Sequence, residues 1–382
     1  MHASISTCGR KLLKRPALFD VLQDGPMKEY KVLVINVGST STKVGLFLGE
    51  RPAFQKVIEY SAEDLSSYPD LQSQLARRQK DLEKVLETGK VDPGRLDLII
   101  SRGGLGKPGP AGVYEINEKM CEDLMAGRYG KHPSALGPAM ALRLAASAGI
   151  RSIIIDPPST DEFHALARVT GLPDIARKSA FHALNQKAAA RRAAAGLARK
   201  LEEINLIVAH LGGGITIGAH EKGRVVDCSH GLSEGPMTPE RAGSLPTLDV
   251  LELALSGKDR KTLEKRLVGQ GGLFAYLGTT DFRKIEALVK EGHVQADFLL
   301  HAMSYQIGKG IGMMSAVLKG KVDAVVLTGG LAHSLMLTDR IREWIGFLAP
   351  VLIFPGEDEM AAMAEGASRF LNGGEPLKKY GE

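Results

Sequence analysis

Short apolar runs rich in valine and isoleucine alternate along this chain with longer segments in which apolar residues recur at helical spacing. The apolar runs predict strands at residues 31–36, 42–48, 96–101, 151–155, 205–210, 214–220, 223–227, 322–327 and 350–354. The helical spacing predicts helices at residues 70–88, 134–148, 183–201, 281–291, 295–318 and 358–372. Strands that alternate with helices are typical of an α/β fold.

Two segments far apart in the chain share one pattern: an apolar strand, a turn of glycine, serine or threonine, and a second apolar strand. They are VLVINVGSTSTKVGLF (32–47) and LIVAHLGGGITIGAH (206–220), and a polar residue, Asn36 or His210, ends the first strand of each. A chain of 382 residues is long enough for two domains. The repeated pattern predicts a duplicated domain with a phosphate-facing turn in each half. A chance pair of ordinary hairpins is the alternative.

The composition narrows the class of protein. Hydrophobic residues make up 44% and charged residues 24% of the chain, and no apolar run approaches the ~20 residues of a membrane-spanning helix. The net charge is +5 without a basic stripe interleaved with aromatic residues, so we expect neither a membrane nor a nucleic acid as partner. Three widely spaced cysteines form no CxxC or zinc-like pattern, which favours a cytoplasmic protein.

Residues 1–26 differ from the rest of the chain. They lack sustained periodicity, and the first predicted strand begins only at Lys31. We expect them to form a poorly ordered N-terminal extension. Residues 1–19 contain no acidic residue, so an organelle transit peptide is the alternative.

Three glycine-containing segments are suited to phosphate or nucleotide binding. The turn NVGSTSTK at 36–43 offers backbone N–H groups and hydroxyls, and Lys43 adds a positive charge. The three glycines at 212–214 are costly in backbone entropy unless a group approaches the main chain closely. Gly329 and Gly330 follow a predicted strand and open a helix, an arrangement suited to the phosphates or ribose of a nucleotide.

Charged side chains follow predicted strands. Arg102 comes directly after a buried strand, Asp156 ends the strand SIIID, and Arg241 lies in the loop GPMTPERAG. The carboxyl ends of strands are where α/β sheets bind ligands, and a guanidinium suits a carboxylate or a phosphate. Singly, each residue is more often part of a surface ion pair. Their common placement favours a binding site.

Together these stretches resemble the butyrate kinases, in the acetate kinase branch of the actin-like and sugar-kinase superfamily. The resemblance covers nearly all of residues 28–372. The stretches that carry it are VINVGSTSTKVGLF, SRGGLGKPGPAGVYEIN, KSAFHALNQKAAARRAA, VAHLGGGITIGAHEKGRVVD, EGPMTPERAG, VLTGGLAHS and PGEDEM. The HALNQKA segment and the SRGG loop with its downstream YEIN resemble the butyrate branch more than the acetate kinases.

The resemblance implies an α/β fold of two actin-like (ribonuclease H-like) domains that close over ATP in a nucleotide cleft. The N-terminal domain would comprise residues 27–158 together with 358–382, and the C-terminal domain residues 159–357. The helix at about 358–372 would pack back on the first domain. A homodimer or a higher homo-oligomer is expected.

The resemblance also implies roles for individual residues. Those matched to the two phosphate turns are Asn36, Ser39, Ser41, Lys43, Gly212, Gly213 and Gly214, and those matched to the adenosine segment are Gly329 and Gly330. Those matched to the catalytic groups around the carboxylate and the transferring phosphoryl are Arg102, Arg241, His182 and His210. Those matched to the Mg²⁺ site are Asn36, Asp156, Asp358 and Glu359, and which of the last two serves the metal is open.

The reaction implied is reversible phosphoryl transfer from ATP to a short-chain carboxylate, butanoate or a branched acid, which gives ADP and an acyl phosphate. Such a carboxylate is ionised at pH 7, so the site needs no general base. An acetate or propionate kinase is the nearest alternative, and a noncatalytic ATP-gated actin-like protein is the other. The chain departs from the family pattern at Val37, Pro158, Ser159, Thr160 and Met237, which leaves the acyl chain length open.

Overall fold

The computed structural model describes residues 29–381, so the extension expected at residues 1–26 lies outside the described residues. The strands are β1 Lys31–Val37, β2 Ser41–Leu48, β3 Arg51–Glu59, β4 Leu98–Ser101, β5 Val113–Glu115, β6 Ser152–Ile155, β7 Asn205–Leu211, β8 Ile215–Glu221, β9 Arg224–Cys228, β10 Ala324–Gly329, β11 Val351–Pro355 and β12 Leu377–Lys379.

The α-helices are α1 Ala62–Ser66, α2 Leu71–Thr88, α3 Glu118–Met125, α4 Leu136–Ala148, α5 Ala183–Gly196, α6 Thr247–Ala254, α7 Arg260–Leu267, α8 Gly272–Leu277, α9 Phe282–Lys290, α10 Val294–Val317, α11 Leu335–Ile345 and α12 Glu359–Leu371. Short 3₁₀ helices are Pro93–Arg95, Pro133–Ala135, Ala165–Arg168, Leu201–Glu203 and Gly330–His333. Within residues 29–381 no helix combines the length and the apolar character needed to cross a membrane.

Two sheets organise the fold, and they repeat one arrangement. The first sheet has the strand order β12-β5-β6-β4-β1-β2-β3, and the second has the order β11-β10-β7-β8-β9. In each sheet an antiparallel meander, β1-β2-β3 or β7-β8-β9, is extended by two parallel strands on the side of its first strand. The duplication expected from the two hairpins is present, and the predicted α/β fold class is confirmed.

The first sheet is covered by helices on both faces. Alternate residues of a strand point to opposite faces, so Leu33 and Ile35 of β1 pack with α2 and α4. Val32 and Val34 of the same strand pack with α12 on the other face. Burial on both faces explains why this strand is an uninterrupted apolar run instead of an alternating one.

The second sheet is covered in the same way. Ile207 and Ala209 of β7 pack with α10 and α11 on one face, and Leu206 and Val208 pack with α5 on the other. The inner helices α5 and α12 contact each other, and Arg192 of α5 forms an ion pair of 2.6 Å with Glu365 of α12. The last helix therefore covers the first sheet and also joins it to the second. The residue limits given above for the two domains stay a prediction.

The structure contains elements that the sequence pattern does not predict: β3, β5, β12, α1, α3, α6, α7, α8 and α11. β3 was not predicted because its sequence, RPAFQKVIE, lacks alternation, and this exposed strand depends on pairing with β2. α5 ends at Gly196, before the predicted end at 201, because the backbone becomes left-handed at Ala198 (φ 52°). The remaining predicted strands and helices agree with the structure to within a few residues.

A buried ion pair holds the segment between β6 and α5 against neighbouring backbone. Lys187 and Glu162, whose side chains are 3% and 7% exposed, lie 2.6 Å apart. The Glu162 carboxylate also accepts hydrogen bonds from the backbone N–H groups of Ala111 (3.1 Å) and Val225 (2.8 Å). Lys187 donates in addition to the Gly223 carbonyl at 2.7 Å. One carboxylate thus connects the loop after Arg102 with the second sheet.

We expect Glu162→Gln to lower the free energy of unfolding by about 3 kcal/mol, because it leaves a buried ammonium without its counter-ion. The measurement is urea denaturation of the full chain. Glu264→Gln is the control, since it removes one partner of the exposed Arg260–Glu264 pair and should change stability by less than about 1 kcal/mol. Equal effects of the two substitutions would contradict the importance of the buried pair.

Candidate active site

Loops from both sheets meet at one cleft. The β1–β2 and β7–β8 turns lie there with Arg102, which follows β4, Asp156, which follows β6, and the end of β10 at Gly329. The parallel strands bring these residues to the same edge of their sheets, as their positions in the sequence predicted. A cavity that is open to solvent lies between Arg102, Asp156 and His210.

The first turn is held from behind by a buried arginine. Arg78 of α2 is 1% exposed, and its guanidinium donates to the backbone carbonyls of Gly38 (3.1 Å), Ser41 (3.1 Å) and Ser39 (2.8 Å). It also donates to the Thr42 hydroxyl at 3.1 Å. No carboxylate in the described part of the chain lies within ion-pair distance of Arg78. The Arg78 guanidinium therefore interacts with carbonyl oxygens instead of a carboxylate, and these contacts fix the backbone conformation of the turn.

The second turn leaves room for charged side chains. A Cβ atom at Gly214 would lie 2.5 Å from Nη1 of Arg241, and one at Gly213 would lie 3.2 Å from Oε1 of Glu240. Arg241 donates to the Gly231 carbonyl at 2.6 Å, and its Nε has no hydrogen-bond partner among the described residues. The glycines thus allow a guanidinium to lie against the main chain of the turn.

Arg102 and Asn36 share one carboxylate. Nη2 of Arg102 lies 3.2 Å from Oε1 of Glu359, and Nδ2 of Asn36 donates to Oε2 of the same residue at 2.8 Å. Asp358, by contrast, is exposed and caps α12 by accepting a hydrogen bond from the N–H of Ala361 at 2.9 Å. The sequence leaves open whether Asp358 or Glu359 serves a metal, and of these two acids Glu359 faces the cleft.

A second cleft carboxylate, Glu357, was not identified from the sequence. Its Oε2 lies 3.2 Å from Nε2 of His210, and this hydrogen bond holds the pKa of Glu357 below its ordinary value, with help from the charges of Lys43 and Arg102. On the other side of the ring, Nδ1 of His210 lies 2.8 Å from Oδ1 of Asn185. His210 is therefore held at both nitrogens.

The two predicted histidines are stacked. The ring centroids of His182 and His210 are 3.8 Å apart with an interplanar angle of 16°. Burial, the neighbouring His210 and the charges of Arg241 and Arg102 hold the pKa of His182 well below its usual range. His182 is thus a neutral imidazole at pH 7, with Nδ1 located 2.9 Å from the Thr216 hydroxyl.

Asp156 is fully buried beside the cavity. Its Oδ2 accepts from Arg191 of α5 at 2.8 Å, and its Oδ1 accepts from the N–H of Gly112 at 2.9 Å. Burial acts to raise the pKa of Asp156, but the charge and the hydrogen bond of Arg191 outweigh it and keep that pKa below its ordinary value. Asp156 has a left-handed backbone (φ 41°), a strained conformation that aspartate tolerates better than most residues.

The predicted nucleotide glycines lie where β10 ends: Gly329 is the last residue of the strand, and Gly330 begins a 3₁₀ helix. Gly329 has φ 89°, and its backbone pairs in both directions with that of Gly356 (3.1 and 2.9 Å). A side chain at Gly329 would clash with the backbone of Leu211. Gly330 is exposed, and a Cβ there would meet no atom within 4 Å, so this position leaves the cleft open.

The cavity combines polar and apolar walls. Of the predicted site residues, Arg102, Asp156, His182, His210 and Glu359 line it. The apolar part of its lining is formed by Ile155, Pro158, Phe181, Ala183 and Leu184. The other predicted residues lie outside this lining: Asn36, Ser39, Ser41, Lys43, Gly212, Gly213, Gly214, Arg241, Gly329, Gly330 and Asp358. The cavity can thus hold an anionic head group with a short apolar chain.

The oxygen donors near the cleft suit magnesium better than a softer metal. Within residues 29–381 no group of three or more His, Cys, Asp or Glu side chains is arranged to hold a metal ion. The carboxylates of Glu357 and Glu359 and the amide of Asn36 are hard ligands, and Mg²⁺ is typically bound by one or two carboxylates together with water and phosphate oxygens. The donor set therefore fits a metal that arrives with a nucleotide.

The residues missed from the sequence are those that support the site. Arg78, Arg191 and Gln186, whose amide donates to the Thr216 hydroxyl at 2.9 Å, lie on helices whose pattern predicts only packing, and Glu357 lies in a polar loop. The motif segments HALNQKA and PGEDEM contained Gln186 and Glu357, so the signal was present. Their partners are distant in the sequence, which is why the signal could not be assigned.

We expect Arg78→Met to lower the free energy of unfolding by about 3 kcal/mol, because four acceptors of the first turn lose their donor. Amide hydrogen exchange at residues 38–42 should accelerate more than in the rest of the first sheet. Arg77→Met is the matched control, since Arg77 forms a surface pair with Asp81. Unchanged exchange at the turn would contradict the role of Arg78.

Comparisons with known proteins agree with this architecture. Residues 164–345 match the family model described as the acetokinase family. An acetate kinase from Porphyromonas gingivalis is 19% identical with a TM-score of 0.70, and the alignment covers 89% of this chain and 100% of that one. A propionate kinase from Francisella tularensis subsp. tularensis SCHU S4 is 19% identical with a TM-score of 0.68 (88% and 98% covered).

An acetate kinase from Entamoeba histolytica is 15% identical with a TM-score of 0.70, and the alignment covers 88% of this chain and 98% of that one. At these identities the likeness concerns the fold. The chain therefore has the two-domain, actin-like fold of these kinases, and its residues 164–345 carry the sequence pattern of the acetokinase family.

Proposed function

We propose that this protein is a carboxylate kinase that transfers the γ-phosphoryl group of ATP reversibly to a short-chain carboxylate, butanoate or a branched acid. The observation that carries the proposal is the cleft, where Arg102 and the stacked pair His182–His210 line a cavity with apolar walls and the charge of Arg241 acts on His182 from outside the lining. The match to the acetokinase family and the shared fold support it.

The chemistry needs positive charge and alignment rather than a base. A carboxylate with a pKa below 5 is already ionised, so no proton has to be removed before attack. The attacking carboxylate and the phosphoryl group are both anionic, and their approach requires charge neutralisation and an in-line geometry. Arg102 and Arg241 supply the charge. His182 and His210 would hydrogen-bond the oxygens of the phosphoryl group as it passes between acceptor and donor.

Nucleotide binding is assigned to the two turns and the end of β10. In this proposal Asn36, Ser39, Ser41 and Lys43 contact phosphate oxygens from the first sheet. Gly212, Gly213 and Gly214 present backbone N–H groups from the second sheet, and Gly329 and Gly330 accommodate adenosine. Support comes from the open space at Gly330 and from the rigid support of the first turn by Arg78.

Mg²⁺ would be held by Glu359 with Asn36, and it would neutralise charge on the nucleotide phosphates when bound. Glu357 lies close enough in the same segment to contribute. Asp358 is engaged as a helix cap, and both oxygens of Asp156 accept hydrogen bonds from the protein. In this proposal Asp156, whose ion pair with Arg191 positions the end of β6, would hold a water molecule bound to the metal.

Butanoate or a branched acid is preferred in this proposal because Ile155, Pro158 and Phe181 line the same cavity as Arg102 and offer an apolar surface to an alkyl chain. Pro158 is also one of the departures from the family pattern. One CH₂ contributes only about 0.8 kcal/mol on burial, so selectivity among chain lengths should be graded. Acetate or propionate as the main substrate is the alternative, which the acetate and propionate kinase folds support equally.

An ADP-release assay with acids of two to six carbons, straight and branched, tests the substrate class. We expect activity that rises from acetate to four or five carbons and requires Mg²⁺. A maximum at two or three carbons would favour the alternative. ATP binding without any acid-dependent ADP release would favour a noncatalytic ATP-gated protein, for which two arginines in the cleft have no evident use.

We expect Arg102→Ala and Arg241→Ala each to reduce kcat/KM at least ~100-fold, the scale of a lost contact to transition-state charge. Arg283→Ala is the control, because that side chain is 92% exposed and does not line the cavity. Thermal unfolding should show that both cleft variants remain folded. Near-normal turnover of either variant would remove that arginine from the mechanism.

A further inference from the structure

We propose that Thr216 and Gln186 are positioning residues that fix the tautomer of His182, so that its Nε2 carries the hydrogen and serves as a donor in the cleft. The ligand that this N–H group would contact depends on the proposed function, but the assignment of the tautomer does not. It follows from a chain of buried hydrogen bonds that leads from β8 through α5 to the cavity.

The first step is the orientation of the Gln186 carboxamide, which is 0% exposed. One end of the amide lies 3.1 Å from the backbone carbonyl of Thr216, and a carbonyl only accepts hydrogen bonds. The NH₂ group must therefore be at that end. Oε1 is then left to accept from Nε2 of His220 at 3.0 Å, which requires the hydrogen of His220 to be on Nε2.

The second step concerns the Thr216 hydroxyl. The same NH₂ group of Gln186 lies 2.9 Å from Oγ1 of Thr216, so Oγ1 accepts there. The hydroxyl hydrogen still needs an acceptor, because Thr216 is 0% exposed and an unpaired buried hydroxyl is costly. Among the described residues the acceptor in reach is Nδ1 of His182, at 2.9 Å.

The third step follows from the chemistry of the imidazole ring. A neutral imidazole has one donor and one acceptor nitrogen, and Nδ1 of His182 is the acceptor here. The hydrogen is therefore on Nε2, the nitrogen left for a ligand in the cavity that His182 lines. The stacked ring of His210 limits rotation of His182. A phosphoryl oxygen would thus meet an N–H group in a fixed place.

The backbone of β8 is shaped for this arrangement. A Cβ atom at Gly218 would lie 2.5 Å from Oε1 of Gln186, so a side chain there would displace the carboxamide. Gly218 is two residues from Thr216 and faces the same side of the strand. Strand β8 thus provides the Thr216 hydroxyl and also the space for the Gln186 carboxamide, which orients that hydroxyl.

The test uses nitrogen NMR of the full chain labelled with ¹⁵N-histidine, with the His182 signals assigned by His182→Gln. The wild type should show a protonated Nε2 and an unprotonated Nδ1 at pH 7. Thr216→Ser keeps the hydroxyl and should keep this spectrum. Gln186→Glu places an acceptor where the NH₂ group was, so the Thr216 hydroxyl turns toward it and His182 should carry a hydrogen on Nδ1.

Kinetics provide the second measurement. Gln186→Glu and Thr216→Val should lower kcat by about tenfold or more, with the KM for ATP changed less than about threefold, while Thr216→Ser should be near wild type. A wild-type spectrum with the hydrogen on Nδ1 overturns the proposal, as does a His182 spectrum that does not respond to Gln186→Glu. The expected spectra in a protein without kinase activity would instead refute the proposed function and leave the tautomer assignment standing.

Discussion

The cleft concentrates cationic and hydrogen-bond-donating groups, and one short segment, residues 356–359, provides the opposite charge for both sides of it. Gly356 pairs with Gly329 of the second sheet, Glu357 contacts His210, and Glu359 contacts Arg102 and Asn36 of the first sheet. The segment leads from β11 into α12, which covers the first sheet. The geometry of the cleft therefore depends on residues 356–359, which link the two sheets and also provide the carboxylates that pair with the cationic groups of the cleft.

The two turns are related by duplication, but their supports are chemically different. The first turn is backed by the buried cation of Arg78, which adds positive charge where phosphate is proposed to bind. Behind the second turn lies a neutral chain of carboxamide and hydroxyl, which directs a hydrogen without adding charge. One half of the duplicated fold thus contributes positive charge and the other contributes orientation, because Arg78 of α2 and Gln186 of α5 differ in side-chain chemistry.

The sequence predicted the parts of this structure that are local. The strand–turn–strand pattern around Asn36 and His210 predicts the hairpin β1–β2 and the hairpin β7–β8 of the two sheets, because buried strands and glycine turns leave a periodic signal. It could not predict that Asp358 caps a helix while Glu357 contacts His210. The Asp358 cap is a contact within one helical turn, whereas Glu357 and Glu359 contact His210, Arg102 and Asn36, which lie far away in the sequence.

The same carboxylates impose a condition on ligand binding. An anion that reaches Arg102 or His210 must replace Glu359 or Glu357, since two unit charges of like sign at about 4 Å repel by about 4 kcal/mol at an effective dielectric constant of about 20. Once displaced, these carboxylates would be free oxygen ligands beside the phosphates of the proposed nucleotide, which is the environment that a magnesium ion favours. Arginine would then exchange a carboxylate for a phosphate, and the carboxylate would exchange the arginine for the metal. Each charge would keep a partner of opposite sign throughout binding. Residues 356–359 contact both sheets, so this exchange of ion-pair partners would be coupled to movement of one sheet toward the other.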